Sequence, residues 1–193
     1  MVSKLLLAAE EYFFRSVEEG VDADTMGQLK NHYYEIKAGI GLYKSPELYG
    51  AFPTDAYSHT PGNAGVKQPG MTGQVKEDVI SRMGELGVIV VDGKITFNTS
   101  LLNKNEFLKK SKDFEFIALS GNKEVLPLQP SQLGFTICQV PVVYTLGNEE
   151  RISIYFHNNK VETLDGLVIS EDLSQSIFRR QGDVVRIEIS IKE

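Results

Sequence analysis

The stretch VIVVDGKITF, Val88 to Phe97, is where the hydrophobic period of the chain changes. Upstream of it, apolar residues recur every three to four positions, the spacing of helix faces; downstream they alternate, the spacing of strands. Within it, Asp92-Gly93 supplies the two positive φ angles that a tight type I′ turn requires. The stretch therefore reads as a β-hairpin, and it divides the sequence into a helical part and a strand-rich part.

Downstream of the hairpin, FEFIAL (114–119), FTICQVPVVYTL (135–146), RISIYFHN (151–158), KVETL (160–164) and VVRIEISI (184–191) are strand candidates. In the last of these, Val185, Ile187, Ile189 and Ile191 are expected on one face, with Arg186, Glu188 and Ser190 on the other. Gly147-Asn148 and Asn158-Asn159 supply turns. Short strands with turns at this spacing predict an antiparallel β-sandwich, jelly-roll-like, over 87–193.

Upstream, over 1–86, three helices are expected. Ser3 is placed as the cap of the first, with Leu6, Ala9, Phe13 and Val17 on its apolar face and its end near Gly20. The second runs from about Asp24 to Leu42, with Met26, Leu29, Tyr33, Ile36 and Ile40 as its stripe. The third is capped by Thr72 and runs to about Leu86, with Val75, Val79, Ile80 and Met83 apolar. Between the last two lies a long irregular tract, 44–71, holding Pro46, Pro53, Pro61 and Pro69 of the seven prolines. Tracts of this length inside a domain usually serve function or are disordered, and its aromatic residues Tyr49, Phe52 and Tyr57 argue for order. The expected fold is α+β, the N-terminal helices packed on the C-terminal sandwich.

Composition narrows the function. Over 193 residues the chain is 41% hydrophobic and 24% charged, with a net charge of −6. That balance suits a soluble globular protein and disfavours a nucleic-acid backbone binder, which needs a basic patch. Lys109, Lys110 and Lys112 read as a solvated face. No apolar run approaches the roughly 20 residues of a membrane helix, and the N-terminal LLLAA is shorter than a signal-peptide core. A cytoplasmic location is expected for the chain as given, with no membrane and no nucleic acid as partner.

Cys138, the single cysteine, sits in an apolar run and reads as a buried small hydrophobe. His32, His59 and His157 lack metal-site spacing, so neither metal nor cofactor is expected. His32 and Glu35 share a helix face, but a metal would need a third ligand from elsewhere.

The tract AYSHTPGNAGVKQPGMTGQVKED, 56–78, carries the candidate ligand-facing residues. Glycines allow a ligand close to the backbone, and Gly70 to Gly73 lead into a helix N-terminus, which favours anions or sugar oxygens. His59, Gln68 and Gln74 both donate and accept, as hydroxyl recognition demands. Tyr57, with Tyr49 and Phe52, can stack on a sugar ring. Packing at the junction of helices and sandwich, with Thr72 only a cap, explains the same residues. Asp55, Glu77 and Asp78 can be paired as glycoside-cleaving carboxylates, yet Glu77 and Asp78 also suit the first turn of a helix, where negative charge complements the dipole.

The helices followed by KSPELYGAFPTDAYSHTPGNAGVKQPGMTGQVKEDVISRMGELGV and then FTICQVPVVYTL resemble the C-terminal end of six-hairpin helical-toroid glycosidase-like proteins, of the cellobiose-phosphorylase type. The resemblance covers nearly the whole chain. It implies late toroid helices plus a C-terminal β-sandwich, and a carbohydrate ligand. Thr72-Gly73 matches the Thr-Gly loop that lies near the active site in those phosphorylases. Neither the general acid nor the general base maps onto a residue here. The resemblance thus implies a fragment or accessory domain of a glycoside hydrolase or phosphorylase-like protein, not catalytic alone. A carbohydrate-binding β-sandwich module is the alternative. With three helices in place of a full toroid, the stripes Leu6, Phe13, Val17 and Leu29, Tyr33, Ile36 are expected to need cover from a second copy or from a separate toroid-bearing chain.

Overall fold

The structure, a computed structural model, describes residues 2–39 and 75–192. The tract 44–71 therefore lies outside the described residues, as does the expected end of the second helix at Leu42. The chain is α+β and divides into two compact units, Met1–Glu85 and Leu86–Glu193.

The first unit holds α1 (Val2–Glu18), α2 (Ala23–Lys37) and α3 (Val75–Glu85). α1 ends in a Schellman motif: Gly20, at φ +66°, donates to Val17 O at 3.2 Å, and Val21 N donates to Ser16 O at 3.0 Å. Only glycine takes that left-handed position without steric cost. α2 is capped by Asp22, whose carboxylate accepts from Thr25 N at 3.0 Å and from Thr25 Oγ1 at 2.8 Å. The backbone donation first, and then that of the hydroxyl, hold the Asp22 carboxyl below its ordinary range.

Two expectations change here. Ser3 does not cap α1, because the helix already includes Val2 and the serine side chain is buried on its inward face. That face runs Ser3, Leu6, Glu10, Phe13, Ser16, a mixed polar and apolar stripe. Of the stripes expected to lie open, Leu6, Phe13 and Tyr33 are buried, whereas Val17, Leu29 and Ile36 are half-buried.

In the second unit the hairpin β1 (Val88–Val91) and β2 (Lys94–Phe97) turns at Asp92 and Gly93, both at positive φ, as the sequence predicts. A second hairpin pairs β3 (Lys112–Ile117) with β4 (Lys123–Leu128). The sequence reading passes over β4, which carries Pro127; a two-stranded hairpin leaves an edge that tolerates it. The remaining strands form a five-stranded sheet: β5 (Gln132–Ile137), β6 (Val140–Gly147), β7 (Arg151–Phe156), β8 (Val161–Asp165) and β9 (Val184–Lys192), in the order β5-β6-β9-β7-β8.

The expectation of wholly antiparallel pairing fails at one place. β9 inserts between β6 and β7 and runs parallel to β6, with Val142 opposite Ile187 and Tyr144 opposite Ile189. A short helix, α4 (Glu171–Phe178), supplies the connection a returning strand needs. Its Ser174 is fully buried and accepts from Ile95 N at 2.9 Å, so the helix satisfies a donor of β2. FTICQVPVVYTL, taken as one strand, is two: Cys138 and Gln139, both at positive φ, form the β5–β6 turn. Cys138 accordingly sits in a turn, half-buried and packed against the core instead of fully inside it.

The core of this unit gathers Val142, Tyr144, Ile152, Ile154, Ile187, Ile189 and Ile191 from the sheet with Ile95, Phe97, Leu102, Ile169 and Ile177. Val185 is exposed and Val184 buried in its place, because the β7–β9 register shifts at Tyr155/Phe156.

Candidate functional site

The residues singled out as ligand-facing, Tyr57, His59, Gln68, Thr72, Gly73 and Gln74, lie outside the described residues, as does Asp55. The structure instead brings forward a polar cluster inside the helical unit. Its starting point is α3, which is turned over relative to its apolar pattern. Val79 and Ile80 are 54% and 51% exposed, and Met83 is exposed too, whereas Glu77, Ser81 and Glu85 are buried. Spaced i, i+4, i+8, those three occupy one helix face.

Two local demands explain the inversion. Gly84 lies against Glu10 of α1 so closely that a Cβ there would fall on the glutamate carboxyl. Glu85, 1% exposed, collects three donors: Tyr33 Oη at 2.7 Å, Lys37 Nζ at 2.6 Å and Arg82 Nη1 at 2.7 Å. A buried carboxylate with fewer partners would cost several kcal/mol, so these donors fix which face of α3 turns inward.

The two carboxyls titrate apart. Burial raises Glu85, but the hydrogen bonds from Lys37, Tyr33 and Arg82 outweigh it and hold the group below its ordinary value, as the anion. Glu10 is pushed up to about 8, first by burial and then by the charge of Glu85; Tyr33 and Lys37 pull the other way. Burial and the bond to Glu85 also raise the Tyr33 phenol. Glu10 is thus a neutral acid beside a fixed carboxylate. Such a split in one site resembles acid–base machinery. Yet Glu10 is only 7% exposed, and a group sealed to this degree organises an interior instead of meeting a substrate. Glu10 Oε2, Glu77 Oε2 and Ser81 Oγ have no hydrogen-bond partner among the described residues.

Glu77 and Asp78 separate: both lie in the first turn of α3, Asp78 exposed and Glu77 buried. His32 Nδ1 and Glu35 Oε2 lie 3.2 Å apart on the exposed face of α2. No group of three His, Cys, Asp or Glu is arranged for a metal among the described residues. His157 is exposed beside the turn after β7. The sequence reading missed Glu10, Lys37, Arg82 and Glu85. The signal was present, since Glu10 interrupts the stripe between Leu6 and Phe13, and Glu77, Ser81 and Glu85 keep helical spacing.

The second unit carries an open groove of about 620 Å³ lined by Leu108, Lys112, Phe114, Leu128, Leu133 and Gly134. Gly134 leaves room for Phe114 and Leu128, which a Cβ there would crowd at 3.1 and 2.8 Å. Phe114 stacks on Phe116 with centroids 5.7 Å apart and planes at 21°. An aromatic face beside a lysine offers both stacking and hydrogen bonding.

These features define an α+β protein with a buried carboxylate–tyrosine–lysine cluster in its helical unit and an aromatic groove in its sheet unit. Comparison with known protein families finds no family model that matches the chain, and comparison with curated proteins finds no match. No described helix is long and apolar enough to cross a membrane.

Proposed function

We propose that this chain is a C-terminal portion or accessory domain of a carbohydrate-active protein of glycoside hydrolase or phosphorylase-like lineage, and that it is not catalytic alone. The observation that carries the reading is the order of its parts, a helical unit followed by a strand-rich unit, on a sequence that resembles late toroid helices and their C-terminal β-domain. The sealed state of Glu10 and Glu85 supports the second half of the proposal, because glycoside cleavage needs two carboxyls that reach the sugar.

In this reading the exposed apolar face of α3, Val79, Ile80 and Met83, is where further helices of a toroid pack. An isolated chain covers it with a second copy, since a two-fold contact is the closed solution open to one sequence. A second reading, a carbohydrate-binding module, is favoured by the Phe114 groove of the sheet unit.

Assays of the purified chain on aryl glycosides, and on disaccharides with phosphate, should find no turnover. Turnover abolished by Glu77→Gln would overturn the non-catalytic reading. Backbone NMR during titration with disaccharides separates the two readings: shifts centred on Phe114 and Gly134 would favour the binding module, whereas an unperturbed groove would leave the lineage reading alone.

A further inference from the structure

We propose that Glu10 is a proton-operated latch of the helical unit: its neutral carboxyl lets α1 close on α3 at Gly84, and its ionisation beside Glu85 loosens that contact. The geometry comes first. The carboxyl is pressed against the α3 backbone at the one residue without a side chain, and its Oε2 has no partner among the described residues. The donors facing it, Tyr33 and Lys37, are shared with Glu85. Tyr33 Oη, Lys37 Nζ and Arg82 Nη1 all bond Glu85, at 2.7, 2.6 and 2.7 Å. An anion at Glu10 would therefore be buried without a counter-charge of its own, next to a like charge already fixed in place.

The groups facing Glu10 are Tyr33 and Lys37 from α2 and Glu85 from α3. Glu85 is held as the anion through the neutral range, and the Tyr33 phenol is raised above its ordinary value. Between mildly acidic and mildly alkaline pH, Glu10 changes charge beside a Glu85 carboxylate that stays ionised. Its value is raised from 4.5 to about 8, so the closed unit holds a proton that an opened one releases. The closed form is favoured fully below 4.5, loses ground as pH climbs toward 8, and levels off above, where both forms are ionised.

Hydrogen exchange of the α1 amides in the full chain, corrected for the intrinsic pH dependence of exchange, tests this. Protection should fall about tenfold per pH unit from pH 5 to 8 and then level, because each unit adds one factor of ten to the opening constant. Glu10→Gln should keep α1 protection flat over the same range. A wild-type profile that is flat, or one that the variant shares, would overturn the latch. Should Glu10→Gln fail to fold, the carboxyl carbon of Glu10 in the wild-type chain decides: a titration midpoint near 8 supports the proposal, and one in the ordinary carboxylate range overturns it.

Discussion

Gly84 sits in the last turn of α3, where alanine would still ordinarily be preferred to glycine. Here a Cβ would occupy the place of the Glu10 carboxyl. Gly84→Ala must therefore push aside the end of a flexible side chain held in a buried place, and should destabilise the helical unit by about 1 kcal/mol, the low end of the range for overpacked interiors. Chemical denaturation followed by helix circular dichroism checks it. Because the two residues occupy one space, shortening Glu10 to alanine in the same chain should remove most of the penalty, a non-additivity expected of side chains in contact. Stabilisation by Gly84→Ala alone would mean that the carboxyl has somewhere else to go. Helical spacing places Glu77, Ser81 and Glu85 on one face of α3, but it does not say what that face meets. Glu85 draws its donors Tyr33 and Lys37 from 52 and 48 residues away, and a helix pattern carries no record of such partners.

At the scale of elements, legibility follows the range of the interaction. The Val88–Phe97 hairpin was readable because Asp92-Gly93 decides it locally. α1 and the start of α2 were readable to within a few residues, for the same reason. The parallel β6–β9 pair was not, since alternation along a strand says which face is wet and nothing of its neighbour. α4 escaped notice although Ser170, Glu171 and Asp172 mark its start in the usual way. Its end is unusual. Arg180, at φ +53°, takes the left-handed position of a Schellman motif, with Arg180 N donating to Ile177 O at 3.0 Å and Gln181 N to Ser176 O at 3.1 Å. Gly20 fills the same role after α1 without strain. Arg180→Gly should stabilise the sheet unit by up to about 1 kcal/mol, the relief of a left-handed residue net of the entropy glycine adds to the unfolded chain. Thermal unfolding of the variant measures it, and a clear loss of stability would show that the arginine side chain matters more than its backbone.

For the whole molecule, the α+β class and the order of helices before strands were legible, while the candidate ligand residues from Tyr57 to Gln74 lie outside the described part. What the structure adds is a helical unit whose interior mixes Glu10, Glu77 and Glu85 with Leu6, Phe13 and Tyr33, and whose α3 turns an apolar face outward. Of the expected interface stripes, Leu6, Phe13 and Tyr33 are interior and Val17, Leu29 and Ile36 half-buried, while Val79, Ile80 and Met83 of α3 are open surface. The proposal that this unit belongs to a larger helical assembly makes a direct demand on the chain in solution. Light scattering coupled to gel filtration at high micromolar concentration should give more than one chain per particle, and Ile80→Glu should return it to the mass of one chain with its circular dichroism unchanged. A single-chain mass for the wild-type protein at that concentration would contradict the account.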